Sequence, residues 1–192
     1  MSAKRVLFII VGGILVTVLM AGGCVYSGYN QAITYDEEVK SRWAQVENQL
    51  QRRFELIPNL VETVKGVASQ EEKIFLGVAE ARKSYFQADS IGEKAKAAGG
   101  MESALSRLLV LRETYPQLKS NASFLKLQDQ LEGTENRLSV ERKRYNDAVK
   151  ILNTFTRKLL GRLYASLAGV EKAEYFEIDA EARGTPKVEF GG

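Results

Sequence analysis

Three hydrophobic patterns follow one another along the chain. From Val6 to Tyr26 almost every residue is apolar and none is charged. From Val39 to Tyr85 apolar residues return at alternating spacings of four and three. One series is Trp43, Leu50, Ile57, Val64, Glu71, Val78, Tyr85; the other is Val39, Val46, Arg53, Leu60, Val67, Ile74, Ala81. Only Arg53 and Glu71 interrupt the stripe. A heptad pattern held over about six repeats predicts one long helix packing a narrow seam, roughly 70 Å at helical rise. Pro58 falls inside it, where it removes one backbone hydrogen bond and crowds the preceding turn. The phase continues across the proline, so the pattern predicts a kink in a continuous helix rather than a turn.

A break is predicted at 87–92, with Gly99-Gly100 beyond it. A second helix then runs from Glu93 or Met101 to Glu113, with Met101, Leu105, Leu108, Leu109 and Leu111 on its apolar face. Tyr115-Pro116 ends it. A third helix starts near Asn121 with the stripe Phe124, Leu127, Leu131, Leu138, Tyr145, Leu152 and Leu159. Gln128, Thr134, Glu135 and Arg142 make the first half of its seam polar. Gly161 is expected to end it before a shorter helical piece. The tail from Arg183 is expected to be mobile.

These elements predict an all-α protein: an N-terminal transmembrane helix, then an elongated antiparallel bundle of three to four long helices. Residues 1–28 form the membrane anchor, 29–170 the bundle and 171–192 a C-terminal tail. The first helix, at about 47 residues, outruns a second of about 20 and a third of about 40. Part of its seam would then be uncovered unless Pro58 folds it back. An uncovered apolar seam is an association surface, so homo-oligomerisation is expected.

Composition removes whole classes of chemistry. The 192 residues contain no histidine, which excludes catalytic triads, histidine zinc sites and Glu-x-x-His di-iron centres. The one cysteine cannot form an intrachain disulfide. The net charge is +3 with both signs interleaved, the pattern of solvated helix faces rather than a nucleic-acid surface. No phosphate-binding glycine loop or nucleophile elbow occurs. Glutamates such as Glu47, Glu71, Glu132 and Glu135 recur beside Lys or Arg at helical spacing, which reads as surface pairing. The chain is therefore read as non-enzymatic, with no cofactor, metal or small-molecule substrate.

Twenty-one residues at helical rise cover roughly 30 Å, the thickness of a bilayer core. Lys4 and Arg5 lie on the N-terminal flank, and no basic residue follows until Lys40. The positive-inside bias then leaves the N-terminus cytoplasmic and exports the domain. The expected location is the inner (plasma) membrane, single-pass, with the C-terminal domain extracytoplasmic or periplasmic. Ala21-Gly22-Gly23-Cys24 also resembles a lipoprotein cleavage site, with Cys24 as the lipidated residue and an outer-membrane lipoprotein as the lesser alternative. Ala21 replaces the usual leucine-like residue there, and the apolar stretch is long enough to span, which favours an uncleaved anchor.

A set of short strings resembles the LemA family: Trp43-Ala-Gln-Val-Glu47, Gln51-Arg52-Arg53, Leu56-Ile-Pro-Asn-Leu60, Tyr115-Pro116, Arg142-Lys-Arg-Tyr-Asn146, Asn153 and Tyr175-Phe176. The resemblance implies a membrane-anchored bacterial protein with an antiparallel helical bundle and no known catalytic activity. Some members of that family resemble partners of membrane proteases or of membrane-organising machinery. After Phe155 many relatives break with Phe-Pro, whereas Thr156-Arg157-Lys158-Leu159-Leu160 continues in helical pattern here.

The candidate interaction or structural residues are Arg52, Arg53, Pro58, Asn59, Glu135, Arg142, Tyr145 and Asn146. Arg53 falls in the seam, where burial without a partner costs several kcal/mol. Glu135 or Glu132 is the expected partner, with snorkelling along the alkyl stem as the alternative. The carbonyl freed by Pro58 is expected to find the Asn59 amide or water. The resulting expectation is a membrane-anchored scaffold or adaptor that self-associates. An accessory subunit of a membrane protease, or of another membrane complex, is the second reading.

Overall fold

The computed structural model describes residues 3–177, and the expected mobile tail from Arg183 lies outside them. Within that range the chain is helical without strands: α1 Ala3–Lys65, α2 Glu72–Gln87, α3 Ile91–Thr114, α4 Ala122–Arg157 and α5 Leu159–Ala168, with a 3₁₀ turn over Pro116–Ser120. The chain divides into two compact units. One takes residues up to Ser41 together with Asp147–Ala173; the other takes Arg42–Asn146 and the residues from Glu174.

In the second unit the seam of α1 is the core. Val46, Leu50, Phe54, Ile57, Leu60 and Val64 are all essentially inaccessible. Helix α1 passes through Pro58 without a break. It does not, however, continue to Tyr85. It ends at Lys65, and the backbone tightens as Val67 N donates to Val64 O at 3.0 Å and Glu71 N to Ala68 O at 3.1 Å. Ala68 is buried in the turn, so the heptad phase is carried across a reversal rather than along one rod. Glu71, read as a flaw in the seam, marks that reversal. Its carboxylate accepts from the Tyr115 hydroxyl at 2.9 Å, and the same hydroxyl accepts from Gln70 at 2.8 Å.

The chain then returns as the α2–α3 hairpin. Phe75, Val78 and Tyr85 of α2 are buried, and the Tyr85 ring lies 4.4 Å from that of Phe54. This corrects the expected uncovered seam: the chain's own helices cover it, and the surplus assigned to a second copy does not arise. Helix α3 starts at Ile91 because Ser90 and Glu93 form a reciprocal cap. Gly99-Gly100 does not delay it; both residues are helical and Gly99 is buried. Met101, Leu105, Leu108 and Leu111 face the core. On α4 the Asn121 side chain accepts from Phe124 N at 3.0 Å, and Phe124, Leu131, Leu138 and Tyr145 are buried as the stripe predicts.

In the first unit Ala32 and Val39 of α1 and Ala148, Val149 and Leu152 of α4 are buried, and the Tyr35 and Phe155 rings meet edge to face at 5.3 Å. Here too an expectation is corrected. Helix α4 ends at Arg157, not at Gly161, and Leu159 leaves the stripe to become 89% exposed. Gly161 lies inside α5, where a Cβ would overlap the Phe155 carbonyl oxygen, and Gly28 of α1 likewise leaves no room for a Cβ beside the Tyr164 ring. Gly169, at φ +66°, closes α5 in the left-handed conformation that glycine adopts without strain.

Candidate functional site

Most of the candidate residues meet in one clasp within the second unit. Arg53 is 9% exposed, and its guanidinium is ion-paired with the Glu135 carboxylate of α4. Arg142, two turns along α4, donates to the other carboxylate oxygen of Glu135 at 3.4 Å. One carboxylate thus serves two guanidinium groups. Burial pulls the Arg53 pKa below its ordinary value; Glu102 opposes that shift and Arg142 adds to it. Of the two partners expected for Arg53, Glu135 is the one the structure places against it, and Glu132 is exposed.

Arg142 also lies over the Phe176 ring, 5.2 Å from its centroid. Phe176 is buried and tilts against Trp43 at 6.1 Å, while Trp43 meets Tyr145 at 5.4 Å. Lys94 of α3 sits 5.7 Å above the Trp43 indole and pairs with Glu47 at 2.5 Å. Cations above aromatic faces gain from the ring quadrupole while their carboxylate partners neutralise them.

Asn146 gives the clasp its backbone component. Its amide donates to Phe176 O at 3.1 Å and its oxygen accepts from Phe176 N at 2.9 Å. A side-chain amide thereby takes the place of a neighbouring peptide group and satisfies a non-helical segment that has no strand beside it. Tyr145 donates its hydroxyl to Glu174 O at 2.6 Å, and its own pKa is pushed up to about 12, first by burial and then by the Glu174 charge. The Glu174 carboxylate accepts from Gly92 N at 3.0 Å. Within the first unit Asn153 makes the same two-way bond to Ala173, at 2.9 Å from its amide and 3.0 Å to its oxygen.

Four candidates lie elsewhere. Arg52 is exposed beside an open groove of about 820 Å³ that also carries Glu55, Leu125, Asp129 and Arg137. Pro58 and Asn59 are exposed, and the Asn59 carbonyl accepts from the Thr63 hydroxyl at 2.8 Å. Cys24 is exposed on α1. The clasp residues missed as site candidates are Trp43, Glu47, Lys94 and Phe176, and in the first unit Asn153 is missed as well. All but Lys94 stand in the motif strings quoted above; Lys94 carries no local signal because its role depends on where α3 lands.

The arrangement can hold the non-helical segment at Phe176 and pin α1, α3 and α4 by charge. Among the described residues no group of carboxylates or thiols is placed to hold a metal ion.

The family description "LemA family" matches residues 42–190. Magnetosome protein MamQ 2 of Paramagnetospirillum magneticum is 28% identical over 175 residues, covering 78% of this chain. Magnetosome protein MamQ of Magnetospirillum gryphiswaldense is 25% identical over 174 residues, covering 77% of it. Each match spans 64% of the relative's own length, so the chain covers under two thirds of these relatives. The strings that converge on the clasp and on the Tyr115 turn lie inside the matched region, and the chain belongs to the LemA family.

Proposed function

We propose that this protein is a membrane-anchored, non-enzymatic scaffold or adaptor whose helical domain stands on the extracytoplasmic face of the inner membrane. One observation carries the reading. Helix α1 runs unbroken from Ala3 to Lys65, and every described side chain from Val11 to Ser27 is exposed although most are apolar. It is long and apolar enough there to cross a membrane. The same helix continues to Lys65, and its residues from Val46 to Val64 supply the buried seam of the second unit. The non-enzymatic reading is supported by how the charged groups are used: Arg53, Glu135, Arg142, Glu47 and Lys94 hold helices together. The relatives' designation as magnetosome proteins fits a role in building a larger assembly.

Self-association cannot draw on the α1 seam, which is covered, and must use another surface. In-cell cross-linking of the full-length protein in its native membrane, read by mass spectrometry, tests the proposal. Cross-links between copies support a self-assembling scaffold. A dominant cross-link to one other membrane protein supports the accessory-subunit reading and identifies what it serves. Cross-links to neither remove both.

A further inference from the structure

We propose that α5 is an interfacial membrane helix, its leucines lying in the outer lipid–water boundary beside the point where α1 leaves the bilayer. The inference rests on the reading that α1 crosses the membrane, and it concerns the first unit alone. Leu159, Leu160, Leu163 and Leu167 are 89%, 59%, 52% and 57% exposed. At 100° per residue they fall within a single arc of α5. Gly161 and Ala165, on the opposite side, are buried. A short helix with its small residues inward and its leucines outward has the amphipathic pattern reversed for a helix facing water. The pattern suits a helix whose outer face meets hydrocarbon.

Its position decides which hydrocarbon. Tyr164 packs on Gly28 so closely that no Cβ could be added there. Gly28 is two residues, about 3 Å of helical rise, beyond the end of the apolar stretch at Tyr26. The interfacial layer on each side of a bilayer is roughly 5–8 Å thick, so this contact falls within it. Phe155 of α4, by contrast, meets Tyr35 edge to face, seven residues further along α1. The chain therefore comes closer to the membrane as it passes from α4 into α5, and after Gly169 it turns back to Ala173 beside Asn153. Exposed cations border the leucine arc. Arg157 and Lys158 precede the helix, and Arg162 lies on its flank, sharing an open cleft of about 880 Å³ with Arg157, Ser166, Glu171 and Lys172. Three cations against one carboxylate suit lipid phosphates, and long basic side chains reach headgroups while their stems stay in apolar surroundings.

The test uses the full chain, with Cys24→Ser as background, in vesicles of phosphatidylethanolamine and phosphatidylglycerol. An environment-sensitive fluorophore is attached at Leu163→Cys, at Lys150→Cys on exposed α4, or at Val16→Cys in the apolar stretch. Leu167→Cys, in the same arc, replaces Leu163→Cys should that variant fail to fold. Shallow nitroxide lipids are expected to quench the α5 label roughly threefold or more over the Lys150 label, with a blue-shifted emission. An α5 label as open to aqueous iodide as Lys150, with Val16 still quenched by deep nitroxides, overturns the α5 assignment and leaves the span standing. Self-quenching between copies at Leu163 without lipid quenching also overturns it, because a second copy then covers the face. A Val16 label that lipids do not quench removes the span, and the proposal with it.

Discussion

Arg53 lies on the buried face of α1, held by a carboxylate that Arg142 shares. Removing the carboxylate leaves a buried cation with much weaker compensation. Glu135→Ala is expected to cost roughly 2–4 kcal/mol in denaturant unfolding, the lower part of the range reflecting partial exposure of Glu135. The double variant Arg53→Met, Glu135→Leu removes both charges and should recover most of that loss; equal destabilisation by the two would show that the pair is not what stabilises the seam. Tyr145 offers a test by pH. Its folded pKa is raised from 10.0 to about 12, so the neutral phenol is favoured in the fold. The corresponding stability is complete below pH 10 and is lost as pH rises through about 12. Tyr85, also pushed up to about 12 by burial and then by Glu47, behaves alike. Tyr145→Phe should therefore shallow the loss of stability between pH 10 and 12, and at neutral pH cost about 1 kcal/mol for the bond to Glu174. An unchanged alkaline profile would contradict the burial argument.

At the scale of elements, the ends of the helices are set by contacts rather than by periodicity. The α1–α2 turn is held by Tyr115, whose hydroxyl bridges Gln70 and Glu71. Tyr115→Phe should cost about 1–2 kcal/mol and speed amide exchange at residues 66–71 first, which hydrogen-exchange mass spectrometry would report. At Gly161 an added methyl meets the Phe155 carbonyl oxygen. Gly161→Ala should destabilise by about 1–3 kcal/mol despite alanine's better helix propensity. A gain in stability would mean that α5 is not packed tightly on the end of α4.

For the whole molecule the decisive property is attachment. Cys24 lies exposed on α1, and an uncleaved anchor and a lipidated cysteine predict different outcomes there. Cys24→Ser should leave the protein in the membrane fraction after alkaline carbonate washing, and intact-mass measurement should find residues 1–23 still present. Release of the variant, or a mature species beginning at Cys24, would establish the lipoprotein instead.

Much of this protein follows from the sequence by itself. The seam residues from Val46 to Val64 and the α4 stripe from Phe124 to Leu152 are legible because burial imposes a local period on a helix, and the run at Val6–Tyr26 because its length and apolar composition mark it by themselves. The polar exceptions Arg53 and Glu135 are legible because a cation in a seam demands a partner. Tertiary structure decided the rest. A heptad phase can survive a reversal, so nothing local separated one rod from α1 followed by α2 until Tyr115 arrived at Glu71. Leu159 has the right spacing for the α4 stripe, yet the chain leaves that helix at Arg157 and the leucine faces outward. Asn146 and Asn153 look like ordinary helix-surface amides. Their role appears only when a segment 20 or 30 residues away lies alongside them, because a hydrogen bond between distant residues has no period in the sequence.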